Sequence, residues 1–398
     1  MSHILFTDIG QLVTATGPAG AGELSLGILT DAAVEVIGDR VTRVGQMSEP
    51  WVAKAKASGA DVVSVSGRAV IPGFVDSHTH LVFAGDRIDE FTARMSGESY
   101  QASGIATTVN ATRAATDDEL LTLASTRRQV ARLHGTTTME VKTGYGLSVQ
   151  HEERLARVAV AVGDVVTFLG AHLIPEEFAT DPDGYVDLVC GPMVDAVADY
   201  VSRVDVFLET GAFDAEQARK ILLAGTERGL VPVIHGSQLG PGDAAKVAAE
   251  VGAASLDHGT FLTDNDLAVL AGSDTVVTLL PITELATKQP PPDARRLIDA
   301  GITVAIASNM NPGSGHSSSM PLAIALAVTT MNMSPADALW SATAGGAQAL
   351  RLDDRGIIAA GTRADLIELD APHFAHLAYQ PGMPLIRRVW QAAVAVSH

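Results

Sequence analysis

At 398 residues the chain is longer than a single hydrophobic core usually supports, so a large domain accompanied by a smaller one is expected. A formal net charge of −19, with no cluster of Lys and Arg to offset it, argues against a nucleic-acid partner, because phosphates would be repelled over most of the surface. Hydrophobic residues at 47%, 37 Gly and only 5% aromatics fit a large Ala- and Val-rich α/β enzyme and exclude a disordered chain.

The N-terminal MSHILFTDIGQLVTATG has no basic stretch followed by a sustained apolar run, and no run of about 18 apolar residues occurs, so no leader and no membrane span are expected. Cys190 is the only cysteine, which rules out an intrachain disulfide and a thiolate metal site and fits a reducing, cytoplasmic compartment. Residues 1–69 hold short β-rich runs, Ile4–Phe6, Ala33–Ile37 and Arg40–Val44, divided by turns such as Gly38-Asp39. Residues 346–398 have the same texture, with Ala364–Leu369, Ile386–Val389 and Ala392–Val396. The two ends are expected to build one small β-sandwich domain beside a central domain at 70–345.

That central domain alternates short apolar runs with helical patterns, the signature of βα units on a parallel sheet. The runs are Val70–Val75, Thr136–Val141, Val165–Leu169, Val204–Leu208, Val231–Ile234, Ala254–Leu256, Thr275–Leu280 and Thr303–Ala307. Their number and spacing predict a (β/α)8 TIM barrel, a fold of about 250 residues with catalytic groups on the C-terminal ends of its strands. Polar residues gather where the runs stop: His78, His80 and Arg87, then Lys142 and Tyr145, His172, Glu209, His235 and Gln238, Asp257 and His258, and finally Asn309, Asn311 and Ser314. His151, Glu152 and Glu153 open a helix and are expected on its solvated face.

The first run ends in Asp76-Ser77-His78-Thr79-His80. Side chains alternate faces along a strand, so His78 and His80 point the same way and can hold one ion between two imidazoles. The further His and polar residues at later strand ends suit a divalent cation bound by imidazole and carboxylate. Asp76 is expected to hydrogen-bond a ligand histidine rather than to act as a ligand.

HTHLVFAGDR at 78–87, the Gly97-Glu98-Ser99-Tyr100 turn, EVKTGYGL at 140–147, TFLGAH at 167–172 and NPGS at 311–314 together resemble the imidazolonepropionase family of the amidohydrolase superfamily. The resemblance runs through the barrel and both flanking β segments. It implies one zinc or iron ion on His78, His80, His235 and the residue at 309, and a homodimeric enzyme. The implied reaction is hydrolysis of the cyclic amide of 4-imidazolone-5-propanoate to N-formimino-L-glutamate, in histidine degradation. A catalytic zinc keeps one position for water and lowers that water's pKa to about 7. His258 would orient or shuttle protons for it, and Gln238 would bond the substrate ring. Arg87 would clamp the propionate with its two-pronged guanidinium, unless it instead pairs with Asp86, Asp89 or Glu90. Tyr100, Tyr145 and His172 would line the pocket, with Asn311, Gly313 and Ser314 contributing from the last loop.

The chain departs from the family pattern at Asn309, where the family places an Asp that touches the metal and accepts a proton from the attacking water. An amide is no base and brings no charge, so metal affinity and turnover are expected to fall, the latter by about 100- to 10,000-fold. Three accounts are open: an engineered trap, a natural paralogue of weak or altered activity, or transfer of the base role to another group such as His258. Two other functions also fit the residues. One is a related amidohydrolase or desulfhydrase acting on a similar five-membered-ring propionate; the other is a catalytically silent barrel that binds a small carboxylate.

Overall fold

A computed structural model describes residues 2–97 and 104–397 and divides the strands between two sheets. From the N-terminal end come β1 (His3–Leu12), β2 (Leu29–Ile37), β3 (Arg40–Gln46), β4 (Asp61–Ser64) and β5 (Ala69–Pro72). The barrel strands follow: β6 (Phe74–Asp76), β7 (Thr136–Lys142), β8 (Val165–Ala171), β9 (Arg203–Leu208), β10 (Val231–Gly236), β11 (Ser255–His258), β12 (Val276–Leu279) and β13 (Val304–Ile306). The chain then returns through β14 (Leu366–Leu369), β15 (Ile386–Gln391) and β16 (Val394–Ala395).

The strands from the two ends share one mixed sheet, ordered β16-β15-β14-β5-β1-β2-β3 with β4 also on β1. Phe6, Leu12, Val34, Val41, Leu366 and Trp390 fill its core, and the edge of one aromatic ring of the Phe6–Trp390 pair meets the face of the other at 4.9 Å. The terminal segments are therefore held to each other by apolar burial as well as by ladder bonds.

In the second sheet β6 to β13 lie side by side in chain order, each parallel to the next. Parallel strands need crossovers, and amphipathic helices such as Asp117–Leu133 supply them, burying Leu120, Ala124, Arg128 and Ala131 along one stripe. With both faces covered, every residue of β7 and of β9 is buried, including Glu140, Lys142, Arg203 and Asp205. The ring closes just beyond β6 and β13. The Asn309 N–H donates to the His78 carbonyl at 3.1 Å, and the His80 N–H donates to the Met310 carbonyl at 2.9 Å.

One expected strand is two. Val70–Val75 divides at Gly73, with β5 paired to β1 and β14 and β6 paired to β7. Pro72 has no N–H to give to a ladder, while the Gly73 N–H leaves the barrel and bonds the Asp365 carbonyl at 3.0 Å. A Cβ at Gly73 would lie 2.1 Å from Thr137 Oγ1, so the turn from sheet to barrel requires glycine. Gly73→Ala should destabilise the protein by about 1–3 kcal/mol, read as a lower denaturant midpoint at unchanged slope. An unchanged midpoint would show that Thr137 moves aside freely.

Candidate metal centre

His78 and His80 leave β6 toward the barrel mouth and meet His235, the fifth residue of β10. His80 Nε2 lies 3.3 Å from His78 Nε2 and 3.4 Å from His235 Nε2. Zinc–nitrogen bonds of about 2.0–2.1 Å at tetrahedral angles separate two nitrogens by about 3.3–3.4 Å, so these distances are the edges of a zinc-sized tetrahedron. The tautomers are set from behind. His78 Nδ1 donates to Asp257 Oδ2 at 2.6 Å, and His235 Nδ1 lies 2.8 Å from Asp205 Oδ2 as an ion-pair contact, so both rings have a carboxylate behind Nδ1 and leave Nε2 toward the common point.

Lone pairs aimed at one place repel one another unless a cation sits between them. Asn309 borders the same cavity: its Nδ2 is spent on Thr283 Oγ1 at 2.8 Å, while its Oδ1 is buried with no hydrogen-bond partner among the described residues and is available as a fourth donor. Three imidazole nitrogens and an amide oxygen fit a divalent ion of the zinc or iron type. His258 stands beside them, forming with His78 and His235 a group whose donor atoms lie within 4.8 Å of one another. His258, Ser237 and Asn309 all hold positive φ, at 81°, 53° and 50°, a concentration of backbone strain found at functional sites.

Lys142 lies beneath the histidines. Its Nζ is 2.9 Å from Glu140 Oε1, 2.8 Å from Asp205 Oδ2 and 3.6 Å from Asp257 Oδ2, and all four side chains are buried. Burial by itself lowers the ammonium's pKa, but Asp205, Glu140 and Asp257 hold it above the ordinary lysine value. One cation thereby ties together the two carboxylates that orient the histidines. Asp205 and Asp257 take the part expected of Asp76. Asp76 instead accepts from the Ser308 N–H at 2.9 Å and the Ser308 hydroxyl at 2.6 Å, joining β6 to the end of β13, and burial pushes its carboxyl up to about 7.

A cavity of about 30 Å³ is lined by His80, His235, His258 and Asn309 together with Arg87, Tyr145, His172, Gln238, Asn311 and Ser314. Tyr100 lies outside the described residues. His172 donates through Nδ1 to the Gly144 carbonyl at 3.0 Å and stacks on His80; burial and the neighbouring His235 bring its pKa down to about 3, so it is neutral with an accepting Nε2. The backbone N–H of Gln238 is held by the Glu209 carboxylate, which also takes the Leu239 N–H at 3.2 Å.

Three of the residues expected at the substrate have engagements within the protein, and Arg87 takes the pairing with Glu90 that was its alternative. The two-pronged Nε/Nη2 face of Arg87 is occupied by Glu90 at 2.6 and 2.7 Å, so only Nη1 remains for a guest carboxylate. Asn311 spends its side chain on its own loop: Oδ1 accepts from the N–H groups of Gly313 and Ser314 at 2.8 Å, and Nδ2 donates to the Asn309 carbonyl and to Ser314 Oγ. Gly313 is not part of the cavity lining; it passes so close to Arg87 that a Cβ would lie 2.0 Å from Nη1. Glu152, expected on a solvated face, is a correction. It is fully buried and accepts from the backbone N–H groups of Gly144, Gly146 and Leu147 at 3.1, 2.7 and 2.8 Å, fixing the loop that presents Tyr145.

Residues 69–394 match the amidohydrolase family. An imidazolonepropionase of Salinispora tropica is 54% identical over 98% of this chain and 97% of its own length, and one of Streptomyces griseus subsp. griseus is 52% identical over the whole of both. The chain belongs to the imidazolonepropionase family. Solved amidohydrolase-like barrels share its fold at low identity. An adenosine deaminase from Xanthomonas campestris with bound zinc, 19% identical, has a TM-score of 0.73 over 99% of this chain and 92% of that one. A variant of the atrazine chlorohydrolase TrzN from Arthrobacter aurescens, complexed with zinc and atraton, has a TM-score of 0.72 at 16% identity over 98% and 94% of the two chains.

If Asp257 orients an imidazolonepropionase metal ligand, Asp257→Asn should weaken zinc binding by about 10- to 100-fold in a chelator competition, with the circular dichroism spectrum unchanged. Equal zinc affinity in the two proteins would remove Asp257 from that role.

Proposed function

We propose that this chain hydrolyses the cyclic amide of 4-imidazolone-5-propanoate to N-formimino-L-glutamate in histidine degradation, as a cytoplasmic homodimer carrying one zinc or iron ion. The observation that carries the reading is the convergence of the His78, His80 and His235 Nε2 atoms at 3.3 and 3.4 Å in a chain 54% identical to an imidazolonepropionase. A divalent ion held there supplies Lewis-acid strength at the ring carbonyl and makes a water more acidic.

The residues around that point do the rest. Arg87 Nη1 meets the propionate with a single charged prong, and the Tyr145 and Ser314 side chains border the same cavity. His172 Nε2 accepts from a ring N–H, and the Gln238 amide bonds the ring from its loop. The water oxygen adds to the carbonyl carbon, the ring C–N bond opens, and the departing nitrogen takes the proton that the water gave up. His258 carries that proton, a role supported by its position at the cavity and by an Nδ1 without a hydrogen-bond partner among the described residues.

Asn309 is the observation that favours a weaker enzyme or a silent carboxylate binder, since its amide accepts no proton. Asn309→Asp should raise turnover of imidazolone propionate by about 100-fold or more. The fold should persist, because Asp tolerates the positive φ of 50° as Asn does. The assay is run on purified protein with metal content measured on the same sample. If the natural chain already turns over at rates normal for enzymes and Asn309→Asp adds nothing, the base is elsewhere. No hydrolysis by either protein would sink the assignment.

A further inference from the structure

We propose that the ammonium of Lys142 fills a second cation position built into the barrel, and that this one residue limits the chain to a single metal ion. The inference rests on the reading of His78, His80 and His235 as the first position.

Asp205, His235 and Asp257 are all buried, and each brings one potential ligand atom within 4.8 Å of the others. This set shares only His235 with the first position and uses the other side of its ring, where Nδ1 faces Asp205 Oδ2 at 2.8 Å. Lys142 Nζ sits against the same oxygen at 2.8 Å, with Glu140 Oε1 at 2.9 Å and Asp257 Oδ2 at 3.6 Å. An ammonium has three N–H donors, and here three carboxylates surround it. Asp257 Oδ1, Asp205 Oδ2 and Glu140 Oε1 are buried without a hydrogen-bond partner among the described residues, so the acceptors outnumber what Lys142 satisfies.

Without the ammonium, three buried carboxylates would lose their nearest cation and face an open space, with the buried Arg203 guanidinium the other positive charge acting on all three, an unfavourable state. Carboxylate oxygens with one imidazole nitrogen form a suitable donor set for zinc or manganese. The lysine stem keeps that space occupied by chain atoms and a fixed single charge. It also leaves His235 Nδ1 facing Asp205 Oδ2 at 2.8 Å, so that His235 serves the first position alone. A second ion would require that ring to bridge the two.

The test is the difference in metal content between the natural chain and Lys142→Ala. Both are produced in zinc-replete medium, dialysed against buffered zinc and measured for bound zinc per folded chain. Lys142→Ala should bind one more ion than the natural chain, and zinc should raise its melting temperature by more than it raises that of the natural chain. Asp205→Asn in the Lys142→Ala background should abolish the increment, and methylammonium, which can refill the position, should compete with it. Equal stoichiometry in the two folded proteins overturns the proposal, as does a second ion already present in the natural chain. A Lys142→Ala chain that stays insoluble even with zinc overturns it too, because a cation in the vacated position should neutralise the carboxylates. An increment of one on a natural chain that binds none supports the second position while refuting the first, so the two readings fail separately.

Discussion

The structure depends on a single seam. A parallel barrel has no natural end, and here the two strands farthest apart in the sequence meet through the backbones of His78, His80, Asn309 and Met310. The hydrogen bonds that close the ring therefore belong to residues of the candidate metal centre and to Met310 beside them. Asp76 reinforces them from the interior by binding both the backbone and the hydroxyl of Ser308. The bonds that close the ring also hold His78 and His80 beside Asn309.

Below the seam the interior is polar where a barrel is usually filled by branched apolar side chains. Glu140, Lys142, Asp205 and Asp257 form a continuous ionic cluster whose upper members hold the histidine rings. Buried ion pairs seldom add net stability, but removing one partner from such a cluster is costly, which makes the arrangement rigid. That rigidity benefits a site in which two tautomers must stay fixed.

Most of the scaffold was legible because strands buried on both faces leave uninterrupted apolar runs, and the groups at their ends stand out against them. What escaped reading were charges whose partners are distant in sequence. Asp205 and Glu140 lie inside strands and carry no local sign of their role, and the bond between Asp257 and His78 spans 179 positions. Asp76 was paired with the wrong neighbour for the same reason, since Ser308 is 232 positions away. Glu152 looks like its solvated neighbours Glu153 and His151 in any helical pattern, and only the folded 143–147 loop shows which of the three turns inward. Arg87 was legible as a cavity residue, but which face of its guanidinium would be spent on Glu90 depended on how the helix Ile88–Met95 leaves the loop.

The placement of β14 between β5 and β15 has a consequence for synthesis on the ribosome. The N-terminal strands can pair among themselves as they emerge, yet the free edge of Ala69–Pro72 awaits Leu366–Leu369, which comes only after the whole barrel has been translated. Until then an apolar strand edge is exposed, with unpaired backbone groups that can template association with another chain. A chain truncated before Leu366 cannot cover that edge and keeps it exposed.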